Sequence, residues 1–132
     1  FKEKKSGSIY YASEIEQLIP IKLISEINLN KIENETQNLL FIQDLLNKES
    51  NNVVNFVPLG NIEEQELAKL KDSLMKEKFT KDIKFSSNKD EIKEYSNYLI
   101  LKLGHIKFYD ISILKKRLEL LENVFNGLFV LA

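Results

Sequence analysis

The apolar residues that follow Asp110 constrain the fold most, because they repeat at helical spacing. They follow one another at intervals of four, three, four and three residues, at Leu114, Leu118, Leu121, Phe125 and Leu128. Such a heptad seam predicts one long last helix, capped by Asp110. A second apolar stripe accompanies it at Ile113, Leu120, Val124 and Leu131. A helix with two apolar faces is either central to a core or shared with a partner.

Helical spacing also recurs earlier in the chain. The apolar residues predict a short helix through Ile15 and Ile19, another helical segment through residues 21–27, and longer helices around 32–46, 61–78 and 87–103. Val53–Val57 has the β-branched and aromatic composition of a strand. We therefore expect a mainly α-helical domain, a compact bundle of five or six helices. A minor β element at residues 53–57 and 105–109 is the alternative.

The length of 132 residues is typical of one domain. Residues 1–8 are polar and predict a flexible leader, so the single helical domain is expected to span residues 9–132. Because the chain begins with Phe1 rather than Met, we expect it to be a fragment or a processed product of a larger protein.

Composition excludes most catalytic designs. The chain has no cysteine and one histidine, His105, so disulfides, thiolate nucleophiles, cysteine-based metal sites and two-histidine metal sites are impossible within it. Its four glycines are far apart, which excludes a Gly-rich phosphate loop. We therefore predict that the chain is not an enzyme, has no catalytic or metal-binding residues and needs no cofactor.

Two acidic groups and the histidine have structural explanations. Glu63, Glu64 and Glu66 begin one predicted helix, and Asp90, Glu91 and Glu94 begin the next. Carboxylates in a first helical turn offset the helix dipole, so this role is favoured over cation binding. His105 follows a predicted helix end at Gly104, where exposed carbonyls stabilise an imidazolium.

Charge is divided unevenly along the chain. Residues 1–66 hold six basic and eleven acidic side chains, whereas residues 67–132 hold thirteen basic and nine acidic ones. A possible anion-binding group of lysines lies in the basic half, at Lys69, Lys71, Lys76, Lys78, Lys81 and Lys84. The single arginine and the interleaved acids favour a solvated face over nucleic-acid recognition.

The sequence therefore predicts a non-catalytic helical interaction module or a subunit of a larger assembly, with an adaptor-like role. Its partner would be another protein or a second copy, bound through Leu114, Leu118, Leu121, Phe125 and Leu128 on the last helix. A nucleic-acid-binding accessory protein that uses the lysine-rich second half is the alternative. No run of about 20 apolar residues occurs, so no transmembrane segment is expected. We expect an intracellular, cytoplasmic location.

Overall fold

A five-stranded, all-parallel sheet forms the centre of the protein in a computed structural model, which describes residues 10–76, 78–107, 109–113, 116 and 124–132. In chain order, the elements are α1 (Ala12–Leu18), β1 (Leu23–Ile27), a 3₁₀ helix (Leu29–Asn34), α2 (Thr36–Asn47), β2 (Val53–Leu59), α3 (Glu64–Leu74), β3 (Asp82–Lys84), α4 (Lys89–Ile92), β4 (Ser96–Lys102) and β5 (Phe125–Leu131). The strands lie side by side in the order β1-β5-β4-β2-β3.

The predicted helical bundle is wrong, because three of its helical segments are strands. Residues 23–27 form β1, residues 96–102 form β4 and residues 125–131 form β5. The physical reason is burial on both faces: a central strand of a parallel sheet is apolar throughout and does not alternate. Six of the seven residues of β4 are buried, a pattern that a buried helix shares.

Other predictions are confirmed. The helices predicted through Ile15 and Ile19, around residues 32–46 and around residues 61–78 are present with shorter bounds as α1, α2 and α3, and the strand predicted at residues 53–57 is present as β2. The alternative element at 105–109 is not a strand: Lys107 makes an isolated bridge and residues 109–113 are helical. The leader at residues 1–8 lies outside the described residues.

Helices cover both faces of the sheet. On one face, α2 and α3 pack Ile42, Leu46, Leu70 and Leu74 against a core that contains Phe56. Phe56 is surrounded by Phe85, Tyr98 and Phe129, with ring centroids 5.6–6.2 Å from its own. On the other face, Ile15 and Ile19 of the α1 segment and Ile111 pack against β4 and β5. The result is a three-layer α/β fold with a separate apolar core on each face.

The sequence predicts no transmembrane segment, and the helices of the structure can be compared with this prediction. Among the described residues, none of the helices is long and apolar enough to cross a membrane.

Candidate ligand-binding cleft

A polar cleft lies at the amino ends of three neighbouring strands, β5, β4 and β2. Parallel strands begin at the same edge of a sheet, so the segments that precede them come together there. We call this space, of about 400 Å³, the amino-edge cleft; it is lined by Glu49, Ser50, Asn51, Ile92, Lys93, Tyr95, Ser96, Asn97, Val124 and Asn126. This volume is within the range of small-molecule sites.

Glu49 is fixed at the cleft by partners from two strands. The hydroxyl of Tyr98, on β4, donates a hydrogen bond to Glu49 Oε1. Asn126 Nδ2, on β5, lies 3.4 Å from Glu49 Oε1 and 3.2 Å from Oε2. A carboxylate has about four acceptor positions, so Glu49 keeps capacity for a further donor.

Tyr98 supports this carboxylate from within the core. Its side chain is 1% exposed, and it packs against Phe56 and Phe129 while its hydroxyl reaches Glu49. Burial raises the pKa of Tyr98 strongly, and the hydrogen bond to Glu49 and the negative charge of that carboxylate raise it further. The phenol therefore stays protonated and acts as a constant donor to Glu49.

Two amide side chains that line the amino-edge cleft, Asn97 and Asn51, are held by hydrogen bonds. Asn97 is buried, and its Nδ2 donates to the carbonyl oxygens of Ile92 at 2.6 Å and Tyr95 at 3.0 Å. Asn51 Nδ2 donates to the buried Ser96 Oγ at 3.1 Å. The bonds of Asn97 order the segment before β4, and the bond of Asn51 ties this segment to the one before β2.

Tyr95 and Lys93 line the amino-edge cleft, and Lys84 contacts Tyr95 from outside the lining. Lys84 Nζ lies 3.3 Å from the hydroxyl of Tyr95 and 5.4 Å from its ring centroid. The hydrogen bond with Tyr95 and the charge interaction with it raise the pKa of Lys84, and the carboxylates of Glu91 and Asp82 add to this effect. Lys93 is an exposed lining residue. The positive charge of Lys93 at the cleft, and that of Lys84 next to Tyr95, therefore accompanies the negative charge of Glu49.

The opposite, carboxyl edge of the sheet is where ligands bind in many α/β folds, between strands whose following helices cover opposite faces. Here those strands are β2 and β4, because α3 packs on one face and the segment with Ile111 on the other. The two loops are in direct contact: the N–H of Asn61 donates to the carbonyl of His105 at 3.3 Å. A Cβ on Gly60 would lie 2.9 Å from the same oxygen. This contact joins the two loops through their backbone.

Carboxylates also occupy the start of α3, at the carboxyl edge. Glu63 and Glu66 form a reciprocal capping box, in which each side chain accepts a backbone N–H of the other residue. Glu66 Oε2 lies 2.7 Å from Lys102 Nζ. Burial raises the pKa of Glu66, but the hydrogen bond from Lys102, the bond from the Glu63 N–H and the positive charges of Lys102 and His105 together hold it below its usual value. An anionic ligand would meet carboxylates at this helix start.

No family model, curated protein or solved structure matches this chain. Within the part of the chain that the structure describes, the amino-edge cleft is a candidate site, and a proposal for the function has to rest on its geometry.

The structure does not bring the six predicted anion-binding lysines to one free surface. Lys69 and Lys71 lie on α3, Lys76 and Lys78 in the turn after it, and Lys81 and Lys84 at the edge strand β3. Lys81 Nζ donates to the Glu49 carbonyl at 2.6 Å, and Lys84 is engaged by Tyr95. An anion-binding role for this group stays a prediction, with two of its members occupied inside the chain.

The predicted partner-binding seam also changes place. Leu114, Leu118 and Leu121 lie outside the described residues. Phe125 and Leu128 lie on β5 rather than on a helix; Leu128 is fully buried and Phe125 packs, partly buried, against the same core. The prediction of a helix is therefore wrong for Phe125 and Leu128. The partner interface that includes these residues stays a prediction.

Sequence reasoning missed Asn97 and Asn126 because both fell inside predicted helices. Each stands near the start of an apolar run, before Tyr98–Leu101 and before Leu128–Leu131. A short apolar run is equally typical of a buried strand. If both runs are interpreted as strands, the two asparagines lie near the starts of these strands. Parallel strands start at the same edge of a sheet, so this position could have indicated that Asn97 and Asn126 share an edge.

Proposed function

We propose that this protein is a binding domain, not an enzyme, and that it takes a small polar molecule in the amino-edge cleft. The observation that carries this proposal is the anchored Glu49 carboxylate, which the Tyr98 hydroxyl and the Asn126 amide hold at the cleft. Polar groups that are fixed in advance bind a ligand without the entropic cost of ordering them.

Binding is favoured over catalysis by the kinds of groups present. Acid–base or metal chemistry needs a second positioned group beside the first. Among the described residues that line the amino-edge cleft, Glu49 is the one carboxylate. Among the described residues there is also no group of three or more His, Asp or Glu side chains that could hold a metal ion. The cleft therefore offers hydrogen-bond recognition.

Nuclear magnetic resonance titration of the ¹⁵N-labelled chain tests this proposal. The probes are glucose, glycine, adenosine and inorganic phosphate, each added to saturation or to its solubility limit. We expect at least one probe to shift the backbone amides of Ser96, Asn97 and Asn126 saturably, while those of Gly60 and Gly104 at the opposite edge stay in place. If none of the four probes moves the three cleft amides, the proposed function is wrong.

Glu49→Gln is the variant that links such binding to the cleft. Glutamine keeps an acceptor oxygen for the Tyr98 hydroxyl but removes the charge, so we expect the affinity to fall about five- to tenfold. Glu64→Gln is the matched control, because Glu64 is exposed at the start of α3 at the other edge. Equal affinities of the two variants would place the binding elsewhere on the protein.

Binding of a protein partner or self-association is a second candidate function. It is favoured by one described feature: the adjacent residues Leu40 and Phe41 on α2 are 50% and 53% exposed. Sedimentation over a range of concentrations tests self-association, with Phe41→Ser as the variant that should abolish it. Nucleic-acid binding stays the weaker alternative, and a titration at low salt would detect it, since phosphate contacts are strongest there.

A further inference from the structure

We infer that the ligand of the amino-edge cleft is a neutral, polyhydroxylated molecule of the sugar class, an inference that rests on the proposed function. The first reason is the charge at the cleft. A phosphate or other compact anion would face the Glu49 carboxylate, whose two oxygens are fixed toward Asn126. Like charges at short distance cost binding energy, particularly where one of them is held in place.

A cationic ligand is disfavoured from the other side of the cleft. Lys93 is one of the lining residues, and the ammonium of Lys84 already lies 5.4 Å from the centre of the Tyr95 ring. The aromatic surface that would attract a ligand cation is thus shared with a protein cation. Glu49 and Lys93 give the described lining residues one charge of each sign, so the cleft favours a ligand without net charge over a cation or an anion.

The second reason is the balance of donors and acceptors. Glu49 offers acceptor positions, the side chain of the exposed Asn126 offers an acceptor oxygen, and Ser50 offers a hydroxyl that both donates and accepts. A sugar hydroxyl likewise donates and accepts, so neighbouring hydroxyls can satisfy carboxylate and amide groups together. A ligand with only donors or only acceptors would leave some of these groups unpaired.

The third reason is the small apolar share of the lining. Of the lining residues that the structure describes, two are aliphatic, Ile92 and Val124, and Ile92 is 6% exposed. Typical drug-like ligands need a mostly apolar pocket, and a nucleobase needs a flat aromatic surface. Lys84 lies over the Tyr95 ring, so less of this aromatic surface is left for a nucleobase to stack on. A polar, non-planar ring compound fits this lining best.

The test compares glucose with cyclohexanol, glycine, adenosine and inorganic phosphate on the same ¹⁵N-labelled chain. Cyclohexanol has a six-membered ring of similar size with a single hydroxyl, so it separates ring shape from hydroxyl content. We expect glucose to shift the amides of Ser96, Asn97 and Asn126 at tens of millimolar, and to bind at least about tenfold more tightly than cyclohexanol, since several hydrogen bonds are lost at once.

Asn126→Ala supplies the matched test of the recognition itself. Asn126 is exposed, so its replacement leaves the core intact, while the ligand loses an amide partner and Glu49 loses its anchor. We expect glucose affinity to fall about fivefold or more in this variant and to stay unchanged in Asn61→Ala, an exposed asparagine at the carboxyl edge. Unchanged affinity in Asn126→Ala, with glucose bound, would overturn the inference.

The outcomes of the titration separate this inference from the proposed function. If glycine, adenosine or phosphate shifts the three cleft amides and glucose does not, the ligand class is wrong and the binding function stands. If cyclohexanol binds as tightly as glucose, the hydroxyl argument is wrong. If none of the probes acts at the cleft, the inference and the proposed function fail together.

Discussion

The side chains of Asn55 and Asn97 are hydrogen-bonded to each other across strands β2 and β4, with Asn55 Nδ2 donating to Asn97 Oδ1 at 3.1 Å. The two residues are register partners, and they are 0% and 2% exposed. Asn55 also exchanges bonds with the backbone of Ser86, at 2.7 Å and 2.9 Å. Because a slip of one residue would leave these buried amides unpaired, the pair fixes the register of the two strands.

Asn55→Ala should therefore destabilise the protein by about 2–3 kcal/mol, because it leaves the Ser86 backbone groups and Asn97 Oδ1 without their partner. Urea denaturation followed by circular dichroism measures this change. Asn61→Ala is the control, and its exposed side chain predicts a change within about 0.5 kcal/mol. A similar loss of unfolding free energy in the two variants would show that the buried hydrogen-bond network does not contribute to stability.

Gly60→Ala should destabilise the protein more than Gly104→Ala. The two glycines have the same left-handed φ of 79°, so a side chain at either one costs about 1–2 kcal/mol. At Gly60 the new Cβ would also meet the carbonyl oxygen of His105 at 2.9 Å, whereas at Gly104 it would meet only the ring of Tyr10 at 3.3 Å. The difference between their unfolding free energies measures the loop contact, and equal values would contradict it.

Stability should fall in acid partly through Glu66. The pKa of this carboxyl is lower in the folded protein than in the unfolded chain, so its contribution is complete above the unfolded value of about 4.3 and is lost as the pH falls through the folded value. Glu66→Gln should lose at most about 1 kcal/mol at neutral pH and show a shallower decline in acid. Urea midpoints measured across this pH range give the slope, and an equal slope in Glu66→Gln and the unmodified protein would contradict this contribution.

Tyr98→Phe should lower stability by about 1 kcal/mol, since it removes the hydroxyl that donates to Glu49. The pKa of Tyr98 is raised in the folded protein, so its contribution is complete below the unfolded value of about 10 and is lost as the pH rises above that value. An absorbance titration of tyrosinate should give the same change near pH 10 for the folded variant and the unmodified protein. A smaller change in the variant would show that Tyr98 ionises normally.

Helices and strands were predictable where the residues of the segment itself favour one kind of secondary structure. The helix at α3 follows from Leu67, Leu70 and Leu74 at helical spacing and from the acids in its first turn. The strand β2 follows from the β-branched residues of Val53–Val57. In these segments, propensity and apolar spacing agree with each other, so the tertiary structure only completes what the local sequence favours.

The central strands and the amino-edge cleft were not predictable in the same way. Tyr98–Leu101 is apolar at every position because α2 and α3 cover one of its faces and the segments with Ile15 and Ile111 cover the other. Such a run carries no period that separates helix from strand. Asn126 bonds directly to Glu49, although the two residues lie 77 positions apart in the sequence. Without β4 and β5 as neighbouring strands, nothing in the sequence indicates that Asn97, Asn126 and Glu49 lie close together.

The sequence by itself determined the absence of cysteine chemistry, the single histidine, the amphipathic helices α2 and α3 and the strand at β2, because these depend on residue identity and on neighbours a few positions away. Only the tertiary structure decided the order of the parallel strands, the contact between the loops of Gly60 and His105, and the cleft around Glu49. The physical reason is that parallel pairing joins segments through backbone hydrogen bonds, which every sequence can make, and the choice among them rests on long-range packing.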